Sequence, residues 1–269
     1  MSIKLGSTSI GSLYLGSTKI GAAYLGSTKI YESSPSPVDP LNPLGLQPYT
    51  VRVKLAPGYT PSAQTGVTHT LVDATENIWD YYKNSSTFYR LFYQEGHLLE
   101  VLGANTTGVT TMTTMFFGCT SLTTVPLFDT SVVTSMAGMF NGCSSLTTVP
   151  LFDTSDVTYM KSMFNGCSSL AAVPLFDTSS VTYMDSMFYN CSSLTTVPLF
   201  NTSDVTDMSS MFYNCTSVAS GALALYQQAS TQTNPPTYYD GAFYNCGSNT
   251  QTGAAELAQI PSSWGGNGA

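Results

Sequence analysis

The feature that most constrains this chain is a 24-residue repeat. Leu146–Ser169, LTTVPLFDTSDVTYMKSMFNGCSS, recurs with few changes from Leu122, Leu170 and Leu194, each start 24 residues after the last. A worn copy from Leu98, LLEVLGANTTGVTTMTTMFFGCTS, precedes the set, and GAFYNC at Gly241–Cys246 is a remnant that follows it. A period of this length means units that cannot bury their apolar faces alone and must stack on their neighbours. Everything else in the chain then serves to begin, end or mount that stack.

Within a unit the two halves read differently. Leu146, Val149 and Leu151 give L-x-x-V-x-L, which predicts a short strand of leucine-rich type. Val157, Met160, Met163, Phe164 and Cys167 follow, and from Met160 the offsets of three, four and seven mark one helical face. Thr154 or Ser155 supplies an N-cap oxygen, and Asn165-Gly166, or Tyr189-Asn190 in the next unit, supplies a left-handed stop. The expected fold class is therefore an α/β repeat solenoid, leucine-rich-repeat-like, with short parallel strands on one side and short helices on the other.

The flanks divide the chain further. Residues 1–32 repeat with a period of ten around Gly-Ser-Thr (IKLGSTSIGS, LYLGSTKIGA, AYLGSTKIYE). Short alternating segments around a Gly-containing turn predict β-hairpins. Strands this short need assembly or docking to be stable, so Leu5, Tyr14, Leu15, Tyr24, Leu25 and Ile30 are the anchoring candidates. Residues 33–47 carry four prolines and predict a semi-rigid linker. Residues 48–98 read as an N-terminal cap. Tyr49–Leu55 and THTLVDA predict strands, and Asp73 with Glu76 ahead of Ile78, Trp79 and Tyr82 predicts a capped helix. A further helix is expected from Ser86 or Thr87 through Phe88, Leu91 and Phe92. Residues 99–217 are the repeats and 218–269 a C-terminal cap. There the longer segment VASGALALYQQASTQTNPP reads as helical, and LAQIPSSWGG as a last strand with Trp264 over the open core.

Charge and composition exclude several function classes. Only 9% of residues are charged and the net charge is −8. Residues 99–217 hold one basic residue, Lys161, against eight acids, so phosphate backbones would be repelled and nucleic-acid binding is not expected. No window suits a membrane span. The opening MSIKLGSTSIG lacks the apolar stretch of a signal peptide, which predicts exit by lysis or within a particle. No nucleophile elbow, P-loop or zinc signature appears, and His69 and His97 have no nucleophile motif beside them. The expectation is a non-enzyme without catalytic residues, metal or cofactor.

Five of the six cysteines (Cys119, Cys143, Cys167, Cys191, Cys215) fall one unit apart, and equivalent positions in a stack form a ladder. Buried free thiols explain them without a disulfide framework. The M-x-x-M pairs read as core. Asp129, Asp153 and Asp177, with Asn201 in fourth place, read as turn or helix-start acceptors, with a bound cation as the alternative. Pro126, Pro150, Pro174 and Pro198 interrupt the expected strand. If the adjacent Phe128, Phe152, Phe176 and Phe200 point outward they line an apolar ligand strip, and if inward they are core. The changeable outer positions Tyr159, Tyr183, Tyr189 and Tyr213 join them as ligand-contact candidates, because tyrosine couples apolar area to a hydrogen-bonding tip.

From Val109 to Ser217 the rhythm V-T-x-M-x-x-M-F-x-x-C-x-S-L resembles the leucine-rich-type repeats of BspA-like bacterial surface proteins, over about 120 residues. That resemblance implies adhesion or protein contact. The strand departs from it, with V-P-L-F-D-T-S where L-S-x-F-D-T-S is expected. The leader Y-L-G-S-T-K-I at Tyr14–Ile20 and Tyr24–Ile30 and the tail GALALYQQAS…GAAELAQIPSSWGG resemble structural proteins of gut bacteriophages and prophages. The resemblances imply a phage virion protein, such as a tail or head fibre or receptor-binding appendage. Its expected partners are other virion proteins through residues 1–32, a host cell-surface protein or glycan, and further copies of itself. A bacterial surface adhesin is the alternative, and a glycan-degrading enzyme a third reading.

Overall fold

A computed structural model describes residues 13–15, 18–20, 22–25, 28–32, 42 and 44–268. The chain divides into two compact units, Met1–Pro40 and Leu41–Ala269. In the first, β1 (Leu13–Leu15) pairs antiparallel with β2 (Thr18–Ile20), and β3 (Ala22–Leu25) with β4 (Thr28–Glu32). These are the hairpins that the Gly-Ser-Thr period predicts for its second and third copies. The first copy, with Leu5, lies outside the described residues, as do the side chains of the other anchoring candidates.

The second unit begins with an antiparallel sheet in the order β6-β7-β5-β8, formed by β5 (Thr50–Leu55), β6 (Val67–Asp73), β7 (Ile78–Lys83) and β8 (Leu98–Asn105). In β5, Val51, Val53 and Leu55 are buried, which is the alternation a half-covered strand requires. The expected helix after Asp73 is absent. Asp73 Oδ1 instead accepts from the amides of Thr75 and Glu76, closing a turn into β7. β-Branched and aromatic residues in IWDYYK favour the strand, and cross-strand pairing settles it. The helix expected from Ser86 or Thr87 is also absent, because Phe88, Phe92 and Gln94 donate their amides to the next unit's Thr111, Met115 and Phe117 carbonyls. The end of the proline-rich stretch is tied down. Asn42 Oδ1 accepts from Leu46 N, and Asn105 Nδ2 donates to Leu46 O.

From Ser86 onward the 24-residue units stack in register. Single parallel bridges join Thr87, Thr111, Ser135, Tyr159, Tyr183, Asp207 and Tyr238 in succession. The units contain neither of the elements expected of them. Residues 160–167 form overlapping turns in place of a helix. Met163 N donates to Met160 O and Cys167 N to Phe164 O, at 3.1 and 3.0 Å. The alternate amides of Met160, Ser162, Phe164 and Gly166 donate forward to the next unit, at 2.7–3.0 Å. A helix would keep all of these bonds inside itself. Left-handed residues at Ser162 (φ 53°) and Gly166 (φ 74°) prevent one. The turns still return to the same face every three or four residues, which is why they carry a helix-like apolar pattern.

No continuous strand forms over the expected LTTVPL; single bonds such as Thr147 N to Thr123 O and one parallel bridge, Thr196 to Ser220, are what remains of it. Leu146 and Phe152 are buried with Val149 half-buried between them, while Leu151 is exposed. The inward spacing is three, as in an extended proline-containing segment with three residues per turn, and not two. α1 (Ala222–Thr231) and α2 (Gln251–Leu257) close the far end. The last segment is a 3-10 turn, Ser262–Trp264, and not a strand. Trp264 stacks on Tyr239 at 4.3 Å and lies 6.4 Å from Phe243, covering the core. No helix among the described residues is long and apolar enough to cross a membrane.

Candidate interaction faces

The inside of the stack is a set of identical rows. Phe92, Phe116, Phe140, Phe164, Phe188, Phe212 and Phe243 form one column with ring centroids 5.1–5.8 Å apart. Phe128, Phe152, Phe176 and Phe200 form a second column, at most 2% exposed. They are core, so the apolar ligand strip proposed for them does not exist at those side chains. Packed side by side between the units, each ring is worth about 1.5–3 kcal/mol of burial.

The cysteines are free and buried. Cys167 Sγ donates to Phe140 O at 3.1 Å, and Cys143, Cys191 and Cys215 make the equivalent bond at 3.0 Å. Burial pushes the Cys143 and Cys246 thiols up to about 12, and raises Cys119, Cys167, Cys191 and Cys215 as well. The ladder is part of the packed core. Asp129, Asp153 and Asp177 each accept, through Oδ1, the amide and hydroxyl of the serine two residues on. Asn201 accepts the same amide at 2.9 Å. These bonds hold the Asp177 carboxyl below the usual carboxylate range. Beneath them Thr106, Thr130, Thr154 and Thr178 are buried, and each Oγ1 donates to the next unit at 2.7–2.9 Å.

Two kinds of outward row remain. On the bridged side Tyr159 and Tyr183 are exposed and stack at 5.2 Å. Tyr189, Tyr213 and Tyr244 stack at 4.9 and 4.6 Å, with Tyr189 and Tyr213 half-buried. Beside them Asn245 Nδ2 donates to Asn214 Oδ1, and Asn214 Nδ2 to Asn190 Oδ1. Lys161 Nζ sits 2.7 Å from a carboxylate oxygen of the nearly buried Asp185. Because the rings cover one another's faces, this side presents edges and hydroxyls. The four tyrosine candidates thus do share one side of the stack, but as two separate rows.

Away from the bridges lies a row that the strand pattern counted together with Leu146 and Val149: Leu127, Leu151, Leu175 and Leu199, 40–61% exposed, beside the half-exposed prolines. The signal was present in the sequence. Counting inward positions as L-x-x-V-x-x-F, by threes, leaves the leucine outside. Tyr238 and Tyr244, exposed in the last unit, were also missed, because the period lengthens there.

This architecture defines the chain as a repeat protein of stacked 24-residue units with capped ends. A family described as "Mycoplasma protein of unknown function, DUF285" matches residues 86–174 and again 147–248. Those matches span well over half of the sequence, and the chain belongs to that family. Among solved structures it is similar to a T. pallidum leucine-rich repeat protein (TpLRR), with 17% identity and a TM-score of 0.40. That similarity covers 75% of this chain and 96% of the other. No curated protein sequence matches.

Proposed function

We propose that this chain is a non-enzymatic display protein of a phage virion, a tail or head fibre or receptor-binding appendage. In this reading the hairpins at 1–32 mount it on other virion proteins and help it oligomerise. The stacked units form a solenoid that contacts a host cell-surface protein or glycan. The observation that carries the reading is the contrast between its two compact units. One holds, among its described residues, two minimal hairpins from a ten-residue sequence period. The other is a long run of near-identical coils with its own core, most of whose variable side chains, such as Tyr159, Lys161 and Asp207, lie at the surface. Minimal hairpins suit attachment to a partner, and a repeated rigid surface suits contact with another macromolecule. The test is a virion assembled with the chain lacking residues 1–32. Loss of the chain from purified particles, with its thermal melting unchanged, is the expected result. Retention at the wild-type level would overturn the mounting role.

A bacterial surface adhesin is the second reading, consistent with a matched family that is described from a bacterium. Antibody labelling of intact cells that express the chain, in the absence of any particle, would favour it.

A further inference from the structure

The leucine row raises a question that the display reading leaves open. Leu151 and Leu175 are 59% and 61% exposed, though burying a leucine is worth about 1.5–3 kcal/mol. Four such residues at equivalent positions of successive units, each next in sequence to a half-exposed proline, make an apolar row. Strips of this kind on a folded surface mark interaction sites more often than chance.

The charge along the strip restricts what covers it. Two residues after each of the first three leucines comes Asp129, Asp153 or Asp177. A cavity of about 180 Å³ lies between the leucines and the carboxylates, lined by Leu127, Leu151, Asp129 and Asp153 among others. The serine bonds occupy Oδ1 of each aspartate, and among the described residues Oδ2 accepts nothing. Asp156 and Asp204 are exposed two residues beyond Thr154 and Thr202. The only basic residue in residues 99–217, Lys161, is paired with Asp185 in the bridged-side row. The strip therefore runs beside a line of unneutralised carboxylates. Nucleic acid and anionic bilayers are repelled by such a line, and a second copy docking face to face would set two acidic lines against each other.

We propose that the row Leu127, Leu151, Leu175 and Leu199, with Asp129, Asp153 and Asp177 beside it, docks a cationic amphipathic segment of a partner protein. The partner's apolar side chains cover the leucines, and its Lys or Arg side chains reach the free Oδ2 atoms. This deepens the display reading by naming its face and the chemistry of its partner.

The test uses the full chain and two labelled synthetic peptides, amphipathic sequences of leucine with lysine and of leucine with glutamate, followed by fluorescence anisotropy near 0.15 M salt. The lysine peptide should bind saturably, and the glutamate peptide should not. Leu151→Gln with Leu175→Gln should weaken binding at least about tenfold. Asp153→Asn with Asp177→Asn should weaken it about three- to tenfold and flatten its salt dependence. Both pairs are exposed, so thermal melting should change little and loss of binding reads the face itself. Absence of saturable binding by the lysine peptide overturns the proposal. So does equal binding by the glutamate peptide, binding insensitive to the leucine pair, stronger uptake by phosphatidylserine vesicles, or dimerisation lost with that pair. Particle assembly plays no part in this readout. Failure here leaves the mounting role of residues 1–32 standing, and failure of mounting leaves this face standing.

Discussion

The two sides of each coil are held together by different physics. On the bridged side, around Tyr159–Gly166, four amides per unit donate to the next unit, and the tyrosine rings sit 4.6–5.2 Å apart. Over Pro150–Asp153 and its equivalents no backbone hydrogen bond crosses between units among the described residues; the nearest are single bonds before the proline, such as Thr147 N to Thr123 O. There the second phenylalanine column is spaced at 5.8 and 6.4 Å. Proline cannot donate, so this side is closed by packing and by the threonine hydroxyl beneath it. The tyrosine rows are the tightest, and the first phenylalanine column, at 5.1–5.8 Å, lies between them and the second. The difference teaches where variation is tolerated. The bridged side carries the fold whatever its side chains, so Ser135, Tyr159, Tyr183 and Asp207 interchange at one position. The packed side carries the equivalents of Phe152 and Thr154 in each full unit, and leaves the leucine exposed.

That contrast is broken most severely at the phenylalanine. Phe152→Ala should cost about 3–5 kcal/mol in denaturant unfolding, because it opens a void between Phe128, Phe140 and Phe176. Leu151→Ala, one residue earlier, should change stability by less than about 0.5 kcal/mol. Comparable losses at both would mean that the inward spacing is two after all. Next in size is Thr154→Val, which removes the 2.7 Å donor to Asp177 O and leaves that carbonyl unpaired. About 1–3 kcal/mol should be lost. On the bridged side Gly166→Ala places a side chain at φ 74° and should cost about 1–2 kcal/mol. Its Cβ would meet Gly142 Cα at an ordinary 3.6 Å, so the cost is the backbone's. Pro150→Ala should cost less than about 1 kcal/mol, since no ladder bond depends on it.

The smallest effect is electrostatic. Asp177 is held below its usual value of 3.8, first by the Ser179 hydroxyl and then by the Ser179 amide. A depressed folded pKa means that its contribution is complete above about 3.8 and is lost as pH falls through the lower folded value. Melting of Asp177→Asn should therefore fall slightly below wild type at pH 7, and the deficit should shrink as pH falls below about 3.8. A difference that grows toward acid pH would reverse the assignment.

Much of this was legible in the sequence, and the failures share a cause. The period, the buried methionine, phenylalanine and cysteine rows, the β5 and β6 strands, the helical segment after Ser217 and the covering Trp264 all follow from apolar spacing. Spacing reports only which residues return to the same face. Met160, Met163, Phe164 and Cys167 return every three or four residues in a helix and equally in turns with left-handed corners. Gly166 and Asn190 mark those corners, and reading them as a helix stop hid that Ser162 is a second corner four residues earlier. Leu146, Val149 and Leu151 fit a strand only if Phe152 is left out of the count. The outward leucines, the main apolar feature of the candidate surface, were lost in that one choice. What decided both cases was where the amides point, toward the next unit or nowhere, and a single chain's side-chain pattern does not record that.

Residue-resolved amide hydrogen exchange on the intact chain tests the two-sided account most directly. Met160, Ser162, Phe164 and Gly166 and their equivalents in each full unit should be protected close to the level of global unfolding. The amides of Leu151, Phe152 and Asp153 should exchange faster by orders of magnitude, despite the burial of the Phe152 ring. Protection of Leu151–Asp153 equal to that of Met160–Gly166 would contradict the account, since it would require a second hydrogen-bonded ladder on the leucine side.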